Sequence, residues 1–358
     1  MKAFDPSKFR KSITKNISGI SVGFHDPKTW ISTGNYALNY LISGDFNKGI
    51  PLGKVTMFAG ESGSGKSYIC SGNVIKHAQE QGIFVVLFDS ENALDKAWLE
   101  RLGVDTSDDK LMLINVAMIN DVAKIINDFM TDYKKENGDV DPDDRPKVLF
   151  VIDSLGMLLT PADLDQFQKG DLKGNMGWTA KQLKALVKNC VVQMGEWEVG
   201  MLGTNHTYAS QDMFDPDPKI SGGSGPIFAA SQVIAMNKLK LKEDEDGRKV
   251  TDVTGIRAKV KVVKSRFSKP FETVEIKIPY ETGMDPHSGL FDLFEKKGVL
   301  YKDGKKYFYT DKDGKVYKQF EREMKLNKDG VLDKIMEEWD ESEVSLNDVE
   351  TEEGETEE

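Results

Sequence analysis

Residues 54–71 read Lys54-Val-Thr-Met-Phe-Ala-Gly60-Glu61-Ser62-Gly63-Ser64-Gly65-Lys66-Ser67-Tyr68-Ile-Cys-Ser71, and their reading decides the fold. The run from Lys54 to Ala59 has the apolar character of a buried strand. The residues from Tyr68 onward have helical spacing. Between them, Gly60 to Ser67 completes a GxxxxGK[ST] phosphate loop. Glycines let the backbone wrap a triphosphate, while successive amide N–H groups and a helix N-terminus point at it. Gly60, Glu61, Ser62, Gly63, Ser64, Gly65 and Tyr68 are thus expected around the nucleotide. Lys66 reaches the β- and γ-phosphates, and the Ser67 hydroxyl holds Mg²⁺.

Outward from this loop the pattern alternates. Candidate strands fall at 54–59, 83–88, 148–152, 199–204, 231–236 and 257–264, and helical spacing covers 66–80, 93–102, 119–135 and 178–195. The strands are rich in Val, Ile, Leu and Phe without polar alternation. That implies burial on both faces, hence an α/β fold with a mainly parallel sheet flanked by helices. Two segments, 160–177 and 207–221, break the rhythm as long polar loops, which in compact α/β domains are functional or mobile. The expected organisation is an N-terminal arm or oligomerisation segment (1–30), a P-loop ATPase core (31–284), a small C-terminal α+β unit (285–338) and an acidic disordered tail (339–358). Turn signals at Asp303-Gly304 and Asp313-Gly314 mark the C-terminal unit.

Composition bounds the class. Of the 358 residues, 39% are apolar and 30% charged, as in a soluble globular protein, and no apolar run reaches the roughly 18 residues a membrane helix needs. The first residues lack the apolar core of a signal peptide. Two cysteines, Cys70 and Cys190, exclude a disulfide framework and a Cys-rich zinc site. A cytoplasmic protein with no membrane partner is expected. The net charge of −11 is uneven: 12 acidic residues lie from Glu337 onward with no cation after Lys334, leaving about +1 for residues 1–336. Charge therefore does not exclude DNA. The tail reads either as a solubilising segment or as an electrostatic competitor over a basic groove. On the second reading, a chain cut after Lys334 is expected to bind DNA more tightly and to need less Mg²⁺ for exchange.

Two acids belong with the phosphate loop. The strand Val148 to Asp153 ends at a sheet edge where phosphates lie, so Asp153 is a candidate to orient Mg²⁺. The strand Ile83–Phe88 leads into Asp89-Ser-Glu91-Asn-Ala-Leu-Asp95. Glu91 is the candidate to polarise an attacking water. Asp89 reads either as a functional acid or as a cap.

These pieces, in this order, resemble the RecA-family strand-exchange recombinases. The resemblance rests on Ile31-Ser-Thr-Gly34, the phosphate loop, Asp89–Asp95, Leu102-Gly-Val-Asp105, Asp153-Ser154, Thr204-Asn205-His206 and Lys261-Val-Val-Lys264. His206-Thr-Tyr208, Gly222-Gly-Ser-Gly-Pro226 and Gly283-Met-Asp-Pro-His-Ser-Gly289 are similar to the UvsX type of T4-like bacteriophages. The likeness covers roughly residues 28–295. It implies a RecA-like core using ATP and Mg²⁺, with Glu91 as catalytic base, Asp95 contacting adenine and Trp98 stacking on it. It implies that His206 senses the γ-phosphate; the residue alone could equally be a satisfied core histidine, but its place between a buried strand and a long loop favours the sensor. It also implies that Lys264 and Arg266 reach a neighbouring protomer's γ-phosphate. Arg266 stands where the family has lysine.

The same likeness makes the two long loops DNA-binding. The first ends at Met176-Gly177-Trp178, and Lys181, Lys184 and Lys188 follow on one helix face. That stripe alone suits either a phosphate track or a solvated face. The second carries Tyr208, Met213, Phe214 and Lys219, then Gly222-Gly223. Met176 and Met213 suit wedging between bases, and such contacts ignore base identity. The implied protein is an ATP-dependent homologous recombinase in phage recombination, replication and repair. It would form helical filaments of itself on single-stranded DNA and pair that strand with homologous double-stranded DNA. A recombination mediator and a single-strand-binding protein are expected partners. A RecA-core ring helicase motor and an ATP-gated scaffold without turnover are the alternatives.

Overall fold

The computed structural model describes residues 5–8, 11, 25–170, 176–210 and 218–339. Most of the expected arm, the Met176 side chain, Met213, Phe214 and the tail beyond Trp339 lie outside this set. A short ribbon pairs β1 (Trp30–Ile31) with β2 (Ile50–Pro51). The central sheet contains β3 (Val55–Gly60), β4 (Phe84–Asp89), β5 (Leu111–Asn115), β6 (Val148–Asp153), β7 (Val199–Tyr208), β9 (Gln232–Leu241), β10 (Gly255–Lys264) and β11 (Thr273–Pro279). Their order is β11-β10-β9-β3-β7-β6-β4-β5, and β8 (Lys219–Ile220) pairs back on β7. The six strands from β9 to β5 in that order are mutually parallel, whereas β10 and β11 turn antiparallel.

Alternate residues of each inner strand enter two different cores. Phe58, Val85, Leu87, Leu149 and Val151 face one cluster with Ile69, Val74 and Ile75 of the helical stretch after the phosphate loop. Met57, Ala59, Val86, Phe88 and Phe150 face the other, with Ile126 and Met130 of helix Ile119–Asn137 and Leu186 and Val187 of helix Met176–Met194. This two-sided burial is why the strands lack polar alternation.

Several boundaries differ from the sequence reading. The helix after Ser67 is π-helical over Tyr68–Val74 before becoming α-helical at Ile75–Glu80. Within it Gly72 admits Leu102, whose Cδ1 lies 2.5 Å from where a Cβ would stand. Segment 160–177 is half helix: Thr160 and Asp163 form a capping box opening Pro161–Gln168. Segment 207–221 is narrowed by Thr207–Ile220 and Tyr208–Lys219 pairing. Strand β5 was not anticipated. It lies at the sheet's edge with Met112 and Leu113 about half exposed, so it lacks the buried run that marks the inner strands.

Towards the C-terminus, β12 (Tyr301–Asp303), β13 (Lys306–Thr310) and β14 (Val316–Phe320) form a three-stranded antiparallel sheet. Helix Val331–Glu338 follows it. Phe291, Phe294, Leu332 and Ile335 join the same buried cluster as Leu38 and Ile42. Trp339 packs edge-on against Tyr40 and Phe46, at 5.4 Å between ring centres in each pair. A cut after Lys334 would therefore remove core residues. The acidic run overlaps the end of this packing, so a cut that removes only the tail falls after Trp339. Both cysteines are buried, which pushes the Cys190 thiol up to about 12 and Cys70 well above its usual value. No helix among the described residues is long and apolar enough to cross a membrane.

Candidate nucleotide and nucleic-acid sites

The phosphate loop leaves β3 at the carboxyl edge of the parallel strands. Gly60 is required there, because a Cβ would stand 2.5 Å from the Met236 carbonyl oxygen of the adjacent β9. Gly63 and Gly65 hold φ of +71° and +95°, the left-handed region in which glycine is at ease. The Ser64 hydroxyl is buried without a hydrogen-bond partner among the described residues. Lys66 is only 6% exposed, and its ammonium donates to Gly60 O and Glu61 O, both at 2.9 Å. Burial pushes its pKa below the usual lysine value, against the pull of the Asp153 carboxylate. An orphaned hydroxyl, left-handed glycines, a desolvated ammonium and the half-buried Ser67 make a donor set that fits a polyphosphate.

Lys238 also serves this loop, which the sequence reading missed. Its backbone N–H donates to the Glu61 carboxylate and its ammonium to Ser62 O, each at 3.0 Å. The register of β9 against β3 brings it there, and no local motif announces it.

Asp153 closes β6 beside the loop. Its carboxylate accepts from Ser71 Oγ at 2.8 Å and from Thr204 Oγ1 of β7. It is 5% exposed, so its remaining lone pairs face the loop region rather than bulk water. Asp89 is a structural anchor: its two oxygens accept the Glu91 and Leu94 N–H groups, each at 3.0 Å. With Asn92 at φ +51°, this turn presents Glu91 outward. Glu91 Oε1 lies 2.9 Å from His206 Nε2, both side chains about one-third exposed. The candidate base and candidate sensor are thus in direct contact. His206 is held in turn by its own N–H bonded to Asn205 Oδ1 and by its carbonyl accepting from Ser221 N at 2.8 Å.

Alongside the helix after the loop runs a groove of about 870 Å³ lined by Tyr68, Asn73, Trp98, Arg101, Tyr280 and Met284, among others. Trp98 is half-buried against the first core. Asp95 caps helix Lys96–Arg101 by accepting the Trp98 N–H at 2.9 Å, which leaves its second oxygen for another donor. Tyr280, 66% exposed on the facing wall, is a further aromatic that the sequence reading did not single out. The Tyr68 hydroxyl accepts the Met284 N–H at 3.2 Å and ties the two walls together.

On helix Met176–Met194, Lys181, Lys184 and Lys188 are exposed while Leu183, Leu186 and Val187 are buried. Gly177 is exposed, and Lys181 stands 5.8 Å from the Trp178 ring centre. Tyr208 is 57% exposed at the neck of the second loop, where Lys219 pairs with it. Gly222 and Gly223, with φ of +81° and +69°, lead into helix Ser224–Ala229.

Lys264 and Arg266 lie elsewhere. Because β10 runs antiparallel to β9, Lys264 is level with Val233, and Val233 with Met57 near the start of β3. The two cations therefore sit at the opposite edge of the sheet from their own phosphate loop. Lys264 donates to Ile227 O, Phe228 O and Ala230 O at 3.1, 2.6 and 2.6 Å. Arg266 is exposed.

Fold and site together define a P-loop protein whose nucleotide site lies at the carboxyl edge of a mainly parallel sheet. A family model described as the RecA N-terminal domain matches residues 25–285, and the chain belongs to that family. It is similar to Protein RecA of Tropheryma whipplei, 26% identical over 306 residues covering 85% of this chain and 64% of that protein. It is 27% identical to Protein RecA of Desulforapulum autotrophicum, over 78% of this chain and 73% of that protein. It is 28% identical to the recombination and repair protein of Enterobacteria phage T4, over 78% of this chain and 66% of that one. The match thus spans just under two thirds of the Tropheryma and T4 proteins.

Proposed function

We propose that this chain is an ATP-dependent homologous recombinase that assembles head to tail on single-stranded DNA, pairs it with a homologous duplex, and acts in DNA recombination, replication and repair. The observation that carries the reading is that two sets of candidate site residues lie at opposite edges of the sheet. Lys66, Ser67, Asp153, Glu91 and His206 gather at the carboxyl edge, whereas Lys264 and Arg266 stand at the other. Cations there cannot serve their own phosphate loop, but a heterologous contact between copies brings one edge against the next. Repetition of such a contact builds a helix rather than a closed dimer.

Lys66, Ser67 and Asp153 would hold Mg²⁺–ATP, and the bound metal would neutralise phosphate charge. Trp98 and Tyr280 line the groove suited to the adenine, and Asp95 caps the helix that carries Trp98. Glu91 would orient and deprotonate the attacking water. His206 touches Glu91 on one side and the second loop's neck on the other, so a nucleotide-dependent shift of that pair would reach Tyr208, Lys219 and the paired glycines. The lysine stripe of helix Met176–Met194 would neutralise phosphates, giving sequence-independent, salt-sensitive binding. A mediator and a single-strand-binding protein would act on the same filament in the cytoplasm.

Negative-stain imaging with single-stranded DNA and a slowly hydrolysed ATP analogue, beside a DNA-stimulated ATPase assay, tests this reading. Helical filaments with stimulated turnover support it. Closed rings would make the chain a helicase-type motor, and DNA binding without turnover would make it a scaffold.

A further inference from the structure

The core beneath the phosphate loop is apolar until it reaches the carboxyl edge of the sheet, and there it turns polar. Leu149 and Val151 of β6 and Leu202 of β7 face Ile69, Val74 and Ile75 of the helical stretch after the loop. Strand alternation carries the same two faces on to Asp153 and Thr204, and the pairing of Ile152 with Gly203 sets those residues side by side. Ser71 meets them from the helical stretch. Ser71 and Thr204 are fully buried, and Asp153 is 5% exposed. The Ser71 hydroxyl donates to Asp153 Oδ2 at 2.8 Å, and the Thr204 hydroxyl donates to Asp153 Oδ1. The Lys66 ammonium donates to main-chain oxygens instead.

A helical serine readily bonds the carbonyl one turn back. Ser71 crosses to another element and takes a carboxylate. A carboxylate has about four lone-pair sites, so one donor on each oxygen leaves each with acceptor capacity to spare. Because the two donors come from different elements, the carboxylate plane cannot turn without breaking one bond. Ser67, whose hydroxyl is the other candidate metal group, stands at the start of the helical stretch that carries Ser71. The Ser71 bond therefore ties the acid on β6 to the segment bearing Ser67, and the Thr204 bond ties it to β7.

We propose that Ser71 and Thr204 are positioning residues for Mg²⁺: they clamp the Asp153 carboxylate in the orientation that receives the metal or its water, in register with Ser67. This deepens the nucleotide-site reading above and rests on it for the metal. Groups that orient a metal-binding carboxylate in this way contribute about 10–100-fold to metal affinity.

The test uses the full chain without DNA. Binding of an ATP analogue bearing a fluorescent ribose substituent is followed while Mg²⁺ is titrated, and again in EDTA. Ser71→Ala removes one oxygen, and Thr204→Val keeps the volume of the side chain. Each should raise the Mg²⁺ midpoint roughly tenfold. Each should leave affinity in EDTA within about twofold, because the phosphate loop's own donors are intact. Thr204→Ser, which keeps the hydroxyl, should restore the wild-type midpoint. In an Asp153→Asn background, adding Ser71→Ala should shift the midpoint by less than about twofold, since no carboxylate is left to orient. If one single variant does not fold, the other carries the same test. An unchanged Mg²⁺ midpoint would overturn the clamp, and so would an equal loss in EDTA, which would reduce the hydroxyls to core packing. Thr204→Ser behaving like Thr204→Val would overturn it too, as would a full Ser71→Ala penalty on top of Asp153→Asn. A wild-type chain that binds the analogue without any response to Mg²⁺ would instead sink the nucleotide-site reading on which the clamp rests.

Discussion

At the carboxyl edge of β3, Lys66 is 6% exposed and bonded to its own loop, Asp153 is clasped by Ser71 and Thr204, and Glu91 is paired with His206. At the opposite edge Arg266 stands exposed and Phe228 presents 70% of its surface to solvent. The charged groups of the first edge are partnered within the chain; the second leaves, among the described residues, an unpaired guanidinium and an uncovered apolar side chain. An exposed guanidinium and an uncovered aromatic ring on the same edge are the composition of a protein contact more than of a solvated face. On the proposed reading, a single chain holds most of a phosphate site and needs another copy to finish it.

Lys66→Ala should break the first edge outright. Losing the cation at the phosphates should lower turnover at least about 10³-fold, measured by phosphate release with DNA present, because charge neutralisation is the main catalytic device in phosphoryl transfer. Wild-type turnover in this variant would remove the phosphate-loop assignment.

Breaking one edge in each of two proteins sharpens the comparison. Glu91→Gln should lose about 10²–10⁴-fold in stimulated turnover, the range for a general base, and Arg266→Ala about 10³–10⁵-fold, the range for a trans cation. Mixed, they should regain part of it, since one type of interface pairs an intact Glu91 with an intact Arg266. A co-assembling mixture that gains nothing would show that the edges do not meet.

The C-terminal boundary gives a smaller effect, read as stability. A chain ending at Lys334 loses Ile335 and Trp339 from the core and should be destabilised by several kcal/mol, given about 2–5 kcal/mol for each large buried side chain removed. A chain ending at Trp339 should melt like the full protein. It should also bind single-stranded DNA more tightly at low salt if the removed acids compete for the same groove. Equal affinity at every salt concentration would leave the tail a solubilising role.

The smallest effect is a pH dependence far from either edge. The Glu338 carboxylate accepts from the Tyr309 hydroxyl at 2.6 Å, then from Lys334, and these bonds hold its pKa down at about 2. A depressed carboxylate stabilises the fold above its unfolded value and loses that contribution as pH falls towards the folded one. Wild type should therefore lose stability relative to Glu338→Gln between about pH 4.5 and pH 2. Parallel melting curves across that window would show that the bond contributes nothing.

Much of the site was legible because its chemistry is local. The phosphate loop is contiguous, and Asp153 ends an apolar run that only a two-sided buried strand explains. Legibility stopped where a residue's role depends on what lies across from it. Asp89 could be assigned as an anchor only once its oxygens were seen to bond Glu91 and Leu94. The half-exposed edge strand β5 escaped notice because it lacks the continuous apolar run of its neighbours. The helix Pro161–Gln168 was signalled by Thr160-Pro161-Ala-Asp163, but the polar composition around it read as loop.

By itself, the sequence determined the fold class and the nucleotide chemistry. Uninterrupted apolar strands require burial on both faces, and GxxxxGK[ST] between a strand and a helix is the pattern of a phosphate-binding loop. Tertiary structure alone decided the rest. It brought His206 against Glu91 from 115 residues away, and Lys238 onto a loop that no local motif connects to it. It also set which edge each cation occupies. That choice follows from the direction of β10: an antiparallel turn after β9 carries Lys264 and Arg266 away from their own phosphate loop, and strand direction is a property of pairing, not of composition.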